Sequence, residues 1–482
     1  MAQRTELICY ADRFGSSLGD VNSLLTTCLD GVFDGVHLLP FYTPYDGADA
    51  GFDPADHTLV DPRLGSWADV RAIASHHGVM ADMIVNHVSL ESPRFADVLA
   101  RGNDSPYSGM FLTFSSVFPN GATEEELAAI YRPRPGLPFT PYTWGREGEN
   151  PSRRLVWTTF TPQQIDVDVT TPPGRAYLTE VLDALAAGGV TQVRLDAVGY
   201  ARKRAGTSCF MTDDTYAFID DMTAQARRRG MSVLVEIHSH YLNQVAVASR
   251  VDRVYDFALP PLVLHALYTG DPSPLCRWLD IRPTNAVTVL DTHDGIGIVD
   301  VGPDPATGAP GLLSSAELDA LVEGIHAASG GASRQATGWA ASNVDVYQVN
   351  CTFYDACGAD PNAYFLARAI QAFTPGTMQV YYAGLLHARC DTELLSTTGI
   401  GRDINRPYYT AEEVRARLAD PQVRRLIDLV RLRKTHPAFD GETSVSATGT
   451  SLEIVWTNSE AWARLEADFA TRRARVTHSE SN

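Results

Sequence analysis

The chain has no long apolar run, no paired cysteines and no surplus of positive charge, and each absence closes off a class of function. Its longest apolar stretch, FALPPLVLHALYTG, is interrupted by Pro260 and Pro261, and it is too short to span a bilayer, which takes about 20 residues. The start, MAQRTELICYADR, enters a strand-like run at once without the apolar core of a secretion signal, so a cytoplasmic protein is expected. Seven cysteines (Cys9, Cys28, Cys209, Cys276, Cys351, Cys357, Cys390) are odd in number, scattered and free of any C-x-x-C pair. Neither a disulfide framework nor a zinc site is indicated. A net charge of −19 would repel nucleic acid and anionic membranes. It does not exclude a small anion, because distant charges are screened beyond about 8 Å and a few local arginines can still hold phosphate.

With 482 residues, 44% hydrophobic and 20% charged, the chain can bury a full core. Eight short β-rich runs recur along it: LICYADR (7 to 13), GVHLLPFYT (35 to 43), GVMADMIVNHVS (78 to 89), VTQVRLDAV (190 to 198), MSVLVEIH (231 to 238), RVYDFALP (253 to 260), AVTVLDTHDG (286 to 295) and MQVYYAG (378 to 384). They read as strands buried on both faces. Between two of them, residues 216 to 229 carry Phe218, Ile219, Met222 and Ala226 at helical spacing and stop at Gly230. Strands alternating with such helices predict a (β/α)₈ TIM barrel with inserted loop domains and a small C-terminal β-domain. A doubly wound open sheet competes, but it would carry a Gly-rich phosphate turn after its first strand, and none follows LICYADR. The barrel is assigned to residues 1–88, 166–296 and 361–435, with insertions at 89–165 and 297–360. Residues 436–482 form the β-domain, where Leu452, Ile454 and Trp456 alternate as in a half-exposed strand.

In TQVRLDAVGY, Arg194 and Asp196 lie two apart on a buried strand and so share a face. Alone they read as a structural ion pair. However, Asp196, Glu236 and Asp294 all fall late in their runs, as do His87, His238 and His293, and the working residues of a barrel occupy its strand ends. Three carboxylates in one pocket repel one another unless chemistry requires them. Retaining glycoside cleavage does: one carboxylate attacks the anomeric carbon while a carboxylic acid about 5 to 5.5 Å away protonates the leaving oxygen.

The segments ADMIVNHVS, VRLDAVGY, VEIHSHY and VLDTHDGIG, in this order, resemble the four motif regions of the α-amylase superfamily of glycoside hydrolases. Together with PFYTPYDGADAGFDPADHTLVDPRLGSW, YRPRPGLPFT, ASNVDVYQVNCTFY and GRDINR, they resemble its sucrose phosphorylase subfamily, to about residue 440. The resemblance implies a glycosyltransferase that carries out reversible, retaining phosphorolysis of sucrose to α-glucose 1-phosphate and fructose, with transglucosylation as a side activity. Asp196 would be the nucleophile, Glu236 the general acid and base, and Asp294 the support of the transition state. Arg194, His87 and His293 would hold the nucleophile or the glucosyl hydroxyls, Phe52 would face the ring, and Asp49 and Arg402 would close the pocket. On the acceptor side Arg134 would bind phosphate, and Tyr200 and His238 would line the site. A mobile loop would exchange Asp345 and Gln348, which contact fructose, for Tyr347 and the backbone at Val346. Residue by residue, duller roles exist: His87 as a structural histidine beside an asparagine that serves calcium in amylases, Arg402 as a helix cap or a partner of Asp403, Phe52 as core.

No cofactor or metal is implied, phosphate being a substrate; the partners are small molecules, and a homodimer is left open. Phosphorylases of glucosylglycerol, glucosylglycerate or sucrose 6′-phosphate are the alternatives. A non-catalytic carbohydrate-binding barrel would have lost at least one of the three carboxylates. Arg202 and Arg204 in GYARKRAG, and the length of TWGREGENPSRR, depart from the subfamily pattern near the acceptor mouth.

Overall fold

The computed structural model describes residues 4–134, 136–145, 151–304, 307–337 and 348–480. Eight parallel strands form a closed barrel: β1 (Thr5–Cys9), β2 (Gly35–Leu38), β3 (Gly78–Ile84), β4 (Gln192–Asp196), β5 (Ser232–Val235), β6 (Arg253–Asp256), β7 (Ala286–Thr288) and β8 (Thr377–Tyr381), neighbours following chain order. The eight apolar runs thus correspond to the eight strands. The strands are shorter than the runs, and the reason lies in side chains that cannot serve a ladder. β2 stops before Pro40, which has no N–H to give. β6 stops at Asp256, and a helix begins at Leu259 with Pro260 and Pro261 in its first turn, where a missing N–H costs nothing. β7 stops at Thr288, and Asp291 beyond it turns inward to the buried Arg368 guanidinium at 2.7 Å. No helix among the described residues is long and apolar enough to cross a membrane. All seven cysteines are free thiols.

By its contacts the chain resolves into two compact units, Leu38–Ile237 with Arg250–Asp252, and Met1–His37 with His238–Ser249 and Arg253–Asn482. In the first, β3, β4 and β5 run side by side with Arg194 opposite both Asp82 and Leu234. The helices leading into β3 and β4 start on side-chain caps: Ser66 and Asp69 close a capping box on Trp67–Ala74, and Thr171 caps Pro172–Ala187. The helix expected at 216 to 229 covers Asp213–Arg228 and buries Phe218, Ile219, Met222 and Ala226. The segment after β3 holds a hairpin, Phe139–Trp144 against Ser152–Trp157, and a short antiparallel pair, His87–Ser89 against Gln164–Asp166. It closes over a core of Leu112, Val117, Phe118, Ile130 and Trp157, to which Cys209 from beyond β4 is added.

In the second unit the helix Pro361–Phe373 is buried on nearly every face, and a four-stranded antiparallel sheet follows: Glu442–Thr448, Ser451–Asn458, Ala461–Asp468 and Arg473–His478. Leu452, Ile454 and Trp456 point inward as their alternation predicted, and the Trp456 indole donates to the Phe373 carbonyl at 2.7 Å.

Candidate active site

Asp196 is the last residue of β4. Arg194 reaches it on the same face, with Nη1 2.6 Å from Asp196 Oδ1 and 2.5 Å from Asp82 Oδ1, so one buried guanidinium is shared between two carboxylates. The strand register sets this up, because Asp82 lies directly across the ladder from Arg194. Immediately after Asp196 the backbone turns left-handed at Ala197 (φ 52°), a strained conformation for a residue with a Cβ. That turn aims the Ala197 N–H at Glu236, whose Oε2 accepts it at 3.1 Å. Glu236 comes one residue after β5 ends, and its N–H still donates to the Leu195 carbonyl at 3.3 Å, which holds it beside the end of β4.

The loop carrying Asp49 and Phe52 is folded around Asp53, which accepts the Ala48 and Asp49 N–H groups at 2.9 and 3.1 Å. A Cβ at Gly47 would lie 2.5 Å from Asp53 Oδ1, so any larger residue there would push the carboxylate out of its place. Burial lifts the Asp53 carboxyl to about 6, despite those two hydrogen bonds. Phe52 has its ring centre 5.6 Å from the Arg194 guanidinium, and its carbonyl oxygen lies 2.9 Å from His87 Nε2. Gln164 Nε2 stands 3.5 Å from Asp49 Oδ2 and 3.1 Å from His87 Nε2. Burial pushes the His87 imidazole below its ordinary range, only partly offset by Asp166, so the ring is neutral at pH 7.

Tyr200 packs among Tyr131, Phe160 and Phe210, with ring centres 6.1, 5.2 and 4.7 Å away. Burial above all, then Tyr131 and Glu236, holds its hydroxyl far above the ordinary range, while the Arg134 guanidinium pulls it down. Tyr131 N–H donates to the Ser208 carbonyl at 2.9 Å and its ring stacks on Phe210 at 4.5 Å, which anchors the loop three residues before Arg134. Arg132 turns back on its own loop to the Gly136 carbonyl at 3.3 Å.

Arg204 pairs with Asp214 at 3.4 Å on the exposed side. Between the two unexpected arginines, Lys203 goes inward: its Nζ is 2.6 Å from Asn86 Oδ1 and 2.5 Å from Asp166 Oδ2. The cation at Asn86 is thus the chain's own ammonium.

In the other unit, Arg402 Nη1 lies 2.9 Å from Asp294 Oδ1, with Arg406 Nη2 at 3.8 Å and His293 Nε2 3.5 Å from Oδ2. Burial alone would raise the Asp294 carboxyl, but Arg402, His293 and Arg406 outweigh it and hold the group far below the ordinary carboxylate range. Arg402 thus reaches Asp294, distant in the chain, where the sequence offered it the neighbour Asp403. The rest of GRDINR grips the backbone beside Asp294: Asn405 Nδ2 donates to the Thr292 and Asp294 carbonyls at 2.8 and 3.1 Å, and Arg406 Nε to the His293 carbonyl at 2.8 Å. His238 has Nδ1 3.2 Å from Asp300 Oδ2 and Nε2 3.1 Å from Gln348 Nε2. Asp345, Val346 and Tyr347 lie outside the described residues.

Sequence reasoning missed Asp82, Lys203, Asp300 and Arg406. Asp82 was the findable one, a lone carboxylate inside the apolar run GVMADMI.

The fold and its strand-end carboxylates define an α-amylase-type barrel enzyme, and the family described as alpha amylase, catalytic domain, matches residues 25–252. The sucrose phosphorylase of Agrobacterium vitis is 54% identical over 99% of this chain and 98% of its own, and that of Bifidobacterium adolescentis 53% identical over 96% and 92%. The crystal structure of sucrose 6F-phosphate phosphorylase from Thermoanaerobacter thermosaccharolyticum superposes with a TM-score of 0.91 at 33% identity, over 100% of this chain and 97% of that one. The chain belongs to the sucrose phosphorylase family of α-amylase-type enzymes and is a glycosyltransferase of that kind.

Proposed function

We propose that the chain catalyses reversible phosphorolysis of sucrose, giving α-glucose 1-phosphate and fructose with retention of configuration. The observation that carries the reading is identity above one half, over nearly the whole chain, to curated sucrose phosphorylases; the chain's own Asp196, Glu236, Asp294 and Arg134 support it. A closed parallel barrel gathers its C-terminal strand ends on one rim, where such residues act.

Asp196 attacks the anomeric carbon. The Arg194 guanidinium 2.6 Å away supports its ionised form. Glu236 gives its proton to the glycosidic oxygen, and fructose leaves behind a β-glucosyl ester on Asp196. Phosphate then enters on the vacated face, Glu236 takes back a proton, and the second displacement restores the α configuration. Asp294, kept as a carboxylate by Arg402, binds sugar hydroxyls and stabilises the positive charge that develops on the ring. His87, His293, Asp49, Phe52 and Arg402 hold the glucosyl unit. Tyr200, His238, Asp345 and Gln348 meet the acceptor, with Gln348 on fructose, and Val346 and Tyr347 belong to the same loop. The reaction takes small-molecule substrates and needs no cofactor.

Arg134 is assigned to phosphate because its planar fork can hold two phosphate oxygens, and the net charge of −19 leaves attraction of the anion to local groups. Charge-assisted hydrogen bonds contribute about 1.5 to 3 kcal/mol each, so Arg134→Ala should raise the phosphate requirement about tenfold or more. Water or a sugar then captures more of the glucosyl-enzyme. The assay is the ratio of glucose to glucose 1-phosphate released from sucrose at fixed phosphate, with glucosylglycerol, glucosylglycerate and sucrose 6′-phosphate as alternative donors. An unchanged ratio would place phosphate elsewhere, and a better donor than sucrose would reassign the substrate.

A further inference from the structure

Asp300 belongs to none of the roles above, yet its carboxylate is completely buried. It lies in the short 3₁₀ turn Val299–Val301 and faces the residues just beyond β5. Its Oδ1 accepts the Ser239 N–H at 3.2 Å and the Gln244 side-chain amide at 2.9 Å, while Oδ2 stands 3.2 Å from His238 Nδ1. The fit leaves no slack. A Cβ at Gly297 would come within 2.4 Å of Asp300 Oδ2 and 3.3 Å of His238 Nδ1. The His238 ring is held flat against Phe257, with centres 3.8 Å apart and planes 15° from parallel. Its other nitrogen, Nε2, is 3.1 Å from Gln348 Nε2.

The chemistry of these groups sets a direction along the row. A carboxylate only accepts, so the ring proton belongs on Nδ1. An amide nitrogen only donates, so Nε2 must offer its lone pair. One neutral tautomer meets both demands. With its N–H committed to the ring, Gln348 has its amide oxygen left for a ligand, and an oxygen there accepts from a sugar hydroxyl. We propose that Asp300 is a positioning residue that fixes the donor and acceptor sense of His238 and, through it, of Gln348, so that the site presents an acceptor atom to the hydroxyl of the departing or incoming sugar. The link to the sugar rests on the assignment of Gln348 to fructose given above; the relay itself does not.

Asp300→Asn keeps the shape and still offers one oxygen to Ser239 and Gln244, but it turns an N–H₂ toward His238. The relay then reverses: the ring proton moves to Nε2, and Gln348 turns its oxygen to the ring and its N–H₂ to the ligand. The test is ¹⁵N NMR of histidine-labelled enzyme at neutral pH, with the His238 signals assigned by their loss in His238→Gln. The wild type should carry the proton on Nδ1 and Asp300→Asn on Nε2. The KM for fructose, measured in synthesis from glucose 1-phosphate, should rise about three- to tenfold relative to the KM for phosphate, measured in phosphorolysis of sucrose, the effect of one misdirected neutral hydrogen bond. A doubly protonated His238 or an Nε2–H tautomer in the wild type would overturn the proposal, as would a tautomer that ignores the substitution. A swapped tautomer with an unchanged KM ratio would overturn the step to Gln348. A wild type that turns over no fructose would count against the functional reading instead, the NMR result standing by itself.

Discussion

Replacing Lys203 by methionine tests the internal cation most directly. The side chain keeps its unbranched apolar stem and loses the ammonium that stands 2.6 Å from Asn86 Oδ1 and 2.5 Å from Asp166 Oδ2. Both partners of the ion pair are buried, at 2% and 0% side-chain exposure, so no water replaces the missing charge. Removing one member of a buried pair costs about 3 to 5 kcal/mol. Asp166 keeps two bonds from Thr159, its N–H at 2.9 Å and its hydroxyl at 2.5 Å, which puts the loss near the lower end, about 3 kcal/mol. Asp166 also pairs with His87 in the short ladder His87–Ser89 against Gln164–Asp166, so the loss falls on the segment that positions His87. At about 1.4 kcal/mol per decade, hydrogen exchange in that ladder should speed about a hundredfold. Mass spectrometry of peptides covering 86–89 and 157–168 reads this, and the double variant with Asp166→Asn, which removes the stranded charge, should recover most of the protection. Unchanged exchange in Lys203→Met, or a double variant worse than the two single changes added, would refute the reasoning.

Two further outcomes follow from the same geometry. Glu236→Gln should lower turnover of sucrose by about 10² to 10⁴, the usual worth of a general acid, while glucosyl fluoride, whose leaving group needs little protonation, still forms the glucosyl-enzyme; equal losses on both donors in a rapid-quench assay would remove Glu236 from the acid role. His57 is fully buried beside the Tyr177 hydroxyl, and burial pushes its imidazole down to about 3 from 6.5. Between those values the unfolded chain binds a proton that the folded chain does not, so stability falls as pH drops, by about 1.4 kcal/mol per unit below 6.5 from this group alone. Urea unfolding of His57→Gln between pH 6.5 and 5 should show that slope reduced, and an unchanged slope would contradict it.

Much of the fold, and the three carboxylates proposed for catalysis, could be picked out from local pattern alone. Eight apolar runs of strand length, separated by helical spacing, mark a barrel because a strand buried on both faces has no polar side to show. The carboxylates stand out for the same reason: Asp196, Glu236 and Asp294 are charges at the ends of runs that are otherwise apolar, and a buried charge calls for an explanation wherever it occurs. What local pattern could not decide is which charge meets which. Arg194 next to Asp196 is legible from spacing, but its second partner, Asp82, is 112 residues away and is supplied by the register of β3 on β4. Arg402 reads equally well as a partner of Asp403, its chain neighbour, and only the wrapping of GRDINR around Thr292–Asp294 gives it to Asp294. In GYARKRAG the two arginines drew attention and the lysine between them did not, although two of the 39 basic residues in the chain are lysines. Arg204 ends on the outside, paired with Asp214, and Lys203 inside, where its ammonium, a donor only, meets two oxygens, of Asn86 and Asp166, that both accept. Hydropathy and its periodicity are properties of a few consecutive residues, and the sequence carries them on its face. The pairing of charges depends on distances between segments far apart in the chain, and those exist only once the chain has folded.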